Sequence, residues 1–129
     1  MSSIQEVRAE LSTLLSAVAQ SYDYLPGSAQ LPSVVVGLPD RIQHSITPSY
    51  WRLDLPVYCV TRSVVALDSE TELLELVVQV VAALKGATTG TTYSSLKVVD
   101  TTDLYPITVG ATEANSAQVN VEIMILTPS

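Results

Sequence analysis

The chain predicts an α+β fold, a mainly antiparallel β-sheet with two α-helices packed on one face. Three observations carry this expectation. Two segments repeat apolar residues at helical spacing behind capping-box starts, and several others are β-branched or alternate apolar with polar residues. The order is also telling: a helix, two strand-like runs, a second and greasier helix, then three more strand-like runs. Strands gathered in this way, rather than alternating with helices, point to α+β.

The first helix opens at Ser3-Ile-Gln-Glu6, with Ser3 as N-cap and Glu6 reaching back from the third position. Ile4, Val7, Leu11, Leu14, Leu15 and Val18 fall within an arc of roughly 100°, so one side lies on a surface and the other in water. The helix is expected to fade around Ser21, before Pro26-Gly27 begins a loop running to Pro32.

Ser33-Val-Val-Val-Gly37 reads as a short strand that stops at Gly37 and Pro39. Leu38-Pro-Asp-Arg-Ile-Gln-His-Ser-Ile-Thr-Pro-Ser49 has two prolines and no clear period, so 38–50 reads as a long loop or a hairpin connection with a ragged edge. From Trp51 to Val60, Trp51, Leu53, Leu55, Val57 and Cys59 alternate with the residues between them, as in a half-buried strand. Pro56 suggests an edge position or a bulge.

The second helix opens at Ser69-Glu-Thr-Glu72, another capping box with its acids at the positive end of the dipole, and closes at Lys85-Gly86. Its apolar positions from Leu73 to Leu84 span roughly 200° of the helical wheel, too wide for one sheet face to cover. Either the first helix covers the remainder or part of the stripe faces a neighbouring subunit, with Leu76 and Val78 at opposite ends of the arc. Gly86-Ala-Thr-Thr-Gly-Thr-Thr-Tyr-Ser-Ser95 is small and polar, and is expected to be a mobile loop. Three strands follow, Leu96 to Val99, Tyr105 to Val109 and Ala117 to Leu126. In the last, Val119, Val121, Ile123 and Ile125 face one way and Gln118, Asn120 and Glu122 the other. No internal repeat and no linker interrupts the 129 residues, so 1–129 reads as one domain.

Composition narrows the function. Hydrophobic residues make up 47% and charged residues 15%, which excludes a disordered chain; Phe is absent, so the core must be aliphatic. Six Lys and Arg against thirteen Asp and Glu give a net charge of −7, which opposes sequence-independent nucleic-acid binding. The single Cys59 cannot form an intramolecular disulfide, and one thiol with one histidine makes no metal framework; both fit folding in a reducing compartment. Met-Ser-Ser-Ile-Gln-Glu is not a signal peptide, and Leu73–Leu84 is too short to span a bilayer, so a soluble protein made in the cytoplasm is expected.

The candidate chemistry is weak. His44 has Asp40 and Ser45 as chain neighbours, but a triad needs groups that converge in space. Cys59 lies on the apolar side of its strand, as a small buried hydrophobe does. Asp100-Thr-Thr-Asp103 reads as a turn cap between strands, and Asp68, Glu70, Glu72 and Glu75 as a solvated helix start. Gly86-Ala-Thr-Thr-Gly90 lacks the Lys and Ser/Thr of a phosphate-binding loop and follows a helix instead of opening one. No catalytic, cofactor or metal site is therefore expected, and no enzyme. Candidate contact residues remain: Arg41, His44, Tyr50 and Trp51 in 38–50 and just beyond it, Leu76 and Val78 on the second helix, and Tyr93 in loop 86–95. Side chains of this kind are favoured in interfaces, though Trp51 also fits a core residue at a strand start. Both loops are expected to order on contact with a partner.

In its order of elements the chain resembles the tail-terminator proteins of long-tailed bacteriophages. The resemblance rests on the N-terminal helix, Val34-Val-Val-Gly-Leu-Pro-Asp40, the Tyr50–Val60 strand, the helix from Ser69 to Leu84 and the closing alternating run, which together cover nearly the whole chain. It implies a virion protein that forms a ring, hexameric in that family, on the end of the completed tail tube. Such a ring stops polymerisation and offers its other face to the head-side connector. Its partners would be the tail-tube protein, the connector or stopper protein and copies of itself. DNA would pass through an acidic lumen without specific binding, and no membrane is involved. The alternatives are a head-completion (stopper) or other neck protein, a non-viral oligomeric scaffold, and, in another class, a small ligand-binding or enzymatic α+β domain.

Overall fold

A computed structural model describes residues 4–22, 33–47, 50–62, 66–109 and 112–126. Within them lie α1 (Ile4–Leu15), β1 (Gln20–Tyr22), β2 (Ser33–Val36), β3 (Arg41–Thr47), β4 (Tyr50–Arg62), α2 (Ala66–Lys85), β5 (Ser95–Val109) and β6 (Thr112–Leu126). The strands form one sheet in the order β1-β2-β4-β6-β5, with β3 also paired to β4. All pairings are antiparallel except β1 with β2. The fold is α+β, as the order of elements predicts.

The centre is the β4–β6 ladder, which runs from Tyr50↔Leu126 to Arg62↔Ala114 without a slip. Strict alternation in both strands explains this, because a slip of one residue turns every apolar side chain to the wrong face. Leu53, Leu55, Val57 and Cys59 therefore point inward beside Val119, Val121, Ile123 and Ile125, and Val34 and Val36 of β2 join them. α1 packs over β1 and β2, and α2 over β4, β5 and β6. They close the core with Val7, Leu11 and Leu15 from one helix and Leu73, Leu76, Val80 and Leu84 from the other.

Several expectations need correction. α1 stops at Leu15 rather than near Ser21; Val18 and Ala19 donate back to the Leu15 carbonyl, and the chain then enters β1. The reason is tertiary: Gln20–Tyr22 lies alongside Ser33–Val35, so the stretch where the helix was expected to fade becomes an edge strand. The proposed N-cap Ser3 and the segment 23–32 lie outside the described residues. α2 begins at Ala66, three residues ahead of the expected Ser69, and ends at Lys85 as its sequence indicates.

Within the segment 38–50, Arg41–Thr47 is a strand and not a loop. Arg41, Ile42 and Gln43 pair with Asp54, Leu53 and Arg52, and Thr47 with Tyr50, with an irregularity between Gln43 and Thr47. β2 and β3 thus lie end to end along one flank of β4, interrupted at Leu38-Pro39. There the Gly37 amide donates to the Pro56 carbonyl (2.9 Å) and the Asp40 amide to the Asp54 carbonyl (2.8 Å). This also places Pro56. It sits in a central strand, not at an edge, but within a strand N–H and C=O point to the same side. Its missing donor therefore faces the interruption, where no ladder bond is needed. Gly37 suits the crossing for a steric reason: a Cβ there would lie 2.8 Å from the Tyr58 ring and 2.9 Å from Pro56 Cγ.

The two expected strands at 96–99 and 105–109 are one, β5. Its pairing with β6 shifts between Val98 and Asp100 and again between Thr102 and Tyr105. Asp100-Thr-Thr-Asp103 is accordingly a bulged stretch inside a strand and not a turn. Each extra residue breaks the alternation that would otherwise have marked a single strand.

Candidate interaction surfaces

α2 carries the clearest surface feature. Its wide apolar stripe is divided by the fold: Leu76 is 5% exposed and belongs to the core, while Leu74 and Val78 are 53% and 67% exposed. Val77 and Val81 are half-buried between them. α1 does not cover the outer part. The acidic side chains Glu72 and Glu75 stand beside it, exposed, with no ion pair among the described residues.

A second surface runs along β3, which pairs only with β4 among the described strands. Leu38 at the interruption is 70% exposed and Ile42 36%. Arg41 is exposed on the opposite face from Ile42, in a groove it shares with Asp40, Asp54 and Glu122, and makes no ion pair among the described residues. His44 is exposed, and its ring meets that of Trp51 edge-on, with centroids 4.3 Å apart and planes at 78°. Trp51 itself is half-buried against the core, and Tyr50 is half-buried opposite Leu126. Five of the seven candidate contact residues are thus at least partly accessible, and four of these, Arg41, His44, Tyr50 and Trp51, cluster on the β3–β4 hairpin. Leu76 and Tyr93 point into the subunit's own interior, which corrects the expectation for both.

Tyr93 is held there by its hydroxyl, which donates to the Ala87 carbonyl at 2.9 Å. The loop around it is fastened to α1. The Glu10 carboxylate accepts the Thr91 amide (3.1 Å), the Thr92 amide (2.8 Å) and both threonine hydroxyls. Gly90 permits this closure, since a Cβ there would come within 2.5 Å of Glu10 Oε2 and of the Tyr93 ring. Partial burial pushes the Glu10 pKa up, but the bonds from Thr92 and Thr91 outweigh it and hold the carboxyl below its ordinary value. Burial, with the Glu10 charge nearby, pushes the Tyr93 phenol up.

A prediction follows from the sign of the Glu10 shift. A depressed folded pKa means that the clasp stabilises fully above the unfolded carboxyl value near 4.5 and is lost as pH falls through the lower folded value. Glu10→Gln should flatten the pH dependence of stability in that acid window. At neutral pH it should cost about 1 kcal/mol, less than the roughly 1.5–3 kcal/mol usual for bonds to a charged group because this one is partly in water. Thermal melts of both proteins between about pH 3 and 7 check this; parallel curves would remove Glu10 as the cause.

The outer face of the sheet is polar around Arg52. Arg52 bridges Asp54 (3.3 Å) and Glu122 (2.7 Å), while Asn120 donates to Asp100 and Thr102. Arg52, Asp54, Asp100, Asn120 and Glu122, with Asp40 and Arg41, line an open groove of about 470 Å³. No group of three His, Cys, Asp or Glu among the described residues converges as a metal site. Cys59 is buried, and burial pushes its thiol up to about 12, so it stays protonated. Arg8, which escaped the sequence reading, is buried; its Nε and Nη2 donate to the Val36 carbonyl and its Nη1 to Gln5 Oε1. It fastens α1 to the end of β2. Surfaces for contact are what this arrangement offers.

No model of a known protein family matches the sequence, and no curated protein matches it. Among solved structures, the chain is similar to a chain of the "Virion of native gene transfer agent (GTA) particle", with a TM-score of 0.63 and 15% identity. The match covers 96% of this chain and 95% of that one. At this identity it establishes a shared fold from end to end.

Proposed function

We propose that this chain is a structural subunit of a phage-like virion, and more narrowly a tail terminator. In this reading it is not an enzyme. It forms a ring, a hexamer by the family resemblance, on the end of the tail tube, stops tube growth and joins the tail to the head-side connector. The observation that carries the reading is the end-to-end fold similarity to a chain of a gene transfer agent virion, which adds independent weight to the resemblance in element order. The exposed Leu74–Val78 stripe and the β3–β4 hairpin support an assembling part, since apolar surface beyond the needs of the core marks contact sites. Arg41, His44, Tyr50, Trp51 and Val78 are the residues through which we place those contacts. A net charge of −7 suits a lumen through which DNA slides without adhering. Among the described residues no helix is long and apolar enough to cross a membrane.

Negative-stain microscopy tests this directly. Purified protein should show closed rings, and particles made without it should carry overlong, unattached tails. Tails of normal length that fail to join heads would move the role to a stopper. Normal particles together with monomeric protein would end the virion reading.

A further inference from the structure

Arg8 is only 8% exposed, yet no carboxylate lies within ion-pair distance of it among the described residues. Buried charges are ordinarily paired, because neutral acceptors alone make up poorly for the water a full charge has lost. Here the acceptors are neutral: the Val36 carbonyl takes Nε and Nη2, and Gln5 Oε1 takes Nη1. Each terminal nitrogen carries two N–H groups and gives only one, so one is left on Nη1 and one on Nη2.

The backbone explains where this charge sits. The Gly37 amide points to Pro56 on β4, so the carbonyl across the same peptide bond, that of Val36, points to the opposite flank. This is just beyond the last described pair of β1 with β2, Tyr22↔Val35. Arg8 reaches the spot from α1 and lines an open pocket of about 520 Å³ there. The other walls are mainly apolar, from Val35, Pro39 and the Tyr58 ring, with Leu38 beside them and 70% exposed. Asp40 is the one acid in the lining; its carboxylate is directed to Gln118, at 3.5 Å, and is not within ion-pair distance of Arg8.

We infer that this pocket binds an acidic side chain of a partner protein, its carboxylate on Arg8 and an apolar neighbour from the same segment against Leu38 and Tyr58. Charge complementarity selects the occupant. The two oxygens of a carboxylate match the two N–H groups that remain, and its single charge matches one guanidinium. A phosphate group would bring nearly two negative charges beside Asp40. A free ion of either kind would leave Leu38 and Pro39 uncovered, whereas a peptide segment covers them as it delivers its carboxylate. The site does not depend on the ring reading: a monomer that binds such a segment retains it.

NMR titration of isotope-labelled full-length protein tests it, with acetyl-Leu-Glu-Leu-amide as the probe. The Gly37 and Leu38 amides and the Arg8 Nε–H should shift and saturate. The analogue with Gln in place of Glu should bind about tenfold more weakly or worse, because the charge-assisted bonds are lost. Leu38→Asp should weaken the Glu peptide by about tenfold through like-charge repulsion, and Asp40→Asn should tighten it severalfold. Both substitutions are at exposed positions, so circular dichroism should stay native. They keep the inference testable even if Arg8→Lys, which should also weaken binding, loosens α1. Equal binding of the two peptides, or no saturable shift at these residues, overturns the site. Inorganic phosphate binding there more tightly than the Glu peptide overturns the peptide partner in favour of a free anion. Shifts of the same resonances with protein concentration alone would seat a second copy in the pocket and overturn a separate partner.

Discussion

Leu76→Asp should unfold the subunit, whereas Val78→Asp, two residues along the same helix, should leave it folded. Leu76 is 5% exposed among Leu73, Val80 and the inner face of the sheet, and a carboxylate there has no partner. An unpaired buried charge costs several kcal/mol, about 3–5 by analogy with broken buried pairs, against a total stability of about 5–15 kcal/mol. Val78 is 67% exposed, so its replacement should shift stability by no more than about 0.5 kcal/mol. Urea denaturation followed by circular dichroism separates the two. Equal destabilisation would mean that the stripe is not divided as described, and Val78 would then belong to the interior.

Ile123→Ala should cost about 3 kcal/mol, through lost transfer energy and the cavity left behind. Ile123 is fully buried between its ladder partners Leu53 on β4 and Leu96 on β5, in the middle of a sheet that relaxes little. Met124, its neighbour in sequence, faces the other side and is half-buried, so Met124→Ala should cost about 1 kcal/mol or less. The midpoint of urea unfolding should fall for Ile123→Ala with the slope unchanged. Losses of similar size at both positions would show that the outer face is as tightly packed as the inner.

These contrasts also show where a sequence is readable. α1, α2, β4 and β6 were legible because each turns one face to the core, and burial of one face writes a period into the chain; β2, buried throughout, showed instead as a β-branched run. β3 carries no such record. It is an edge strand with Arg41, Ile42 and His44 all exposed, its pairing is irregular, and two prolines bracket it. β5 was split because the bulges after Val98 and Thr102 reset the alternation twice. The width of the α2 stripe was visible, but which end faces inward is decided by the packing of α2 on β4, β5 and β6. The Glu10 clasp left no local trace at all, since its partners lie more than eighty residues away. For the same reason nothing near Arg8 in the sequence marks it, because its acceptor is a backbone carbonyl on β2. On the surfaces themselves, the concentration of Arg41, His44, Tyr50 and Trp51 was visible in sequence. That Arg41 turns to the outer face of the sheet and Ile42 to the other was not.

The unslipped β4–β6 ladder has a consequence for how the protein is made. On the ribosome, β4 emerges with β2 and β3 already available on one flank, but its other flank waits for β6. In the interval, Leu53, Leu55 and Val57 stand on an open central strand, a template for pairing with another nascent copy. A chain stalled between Arg62 and Thr112 therefore exposes the most adhesive element of the fold, so slow codons in that interval should cost more soluble protein than slow codons ahead of β4. Trimming a few residues from within β6 should likewise be worse than trimming as many from α1, because β6, made after both β4 and β5, is the strand that joins them in the middle of the sheet.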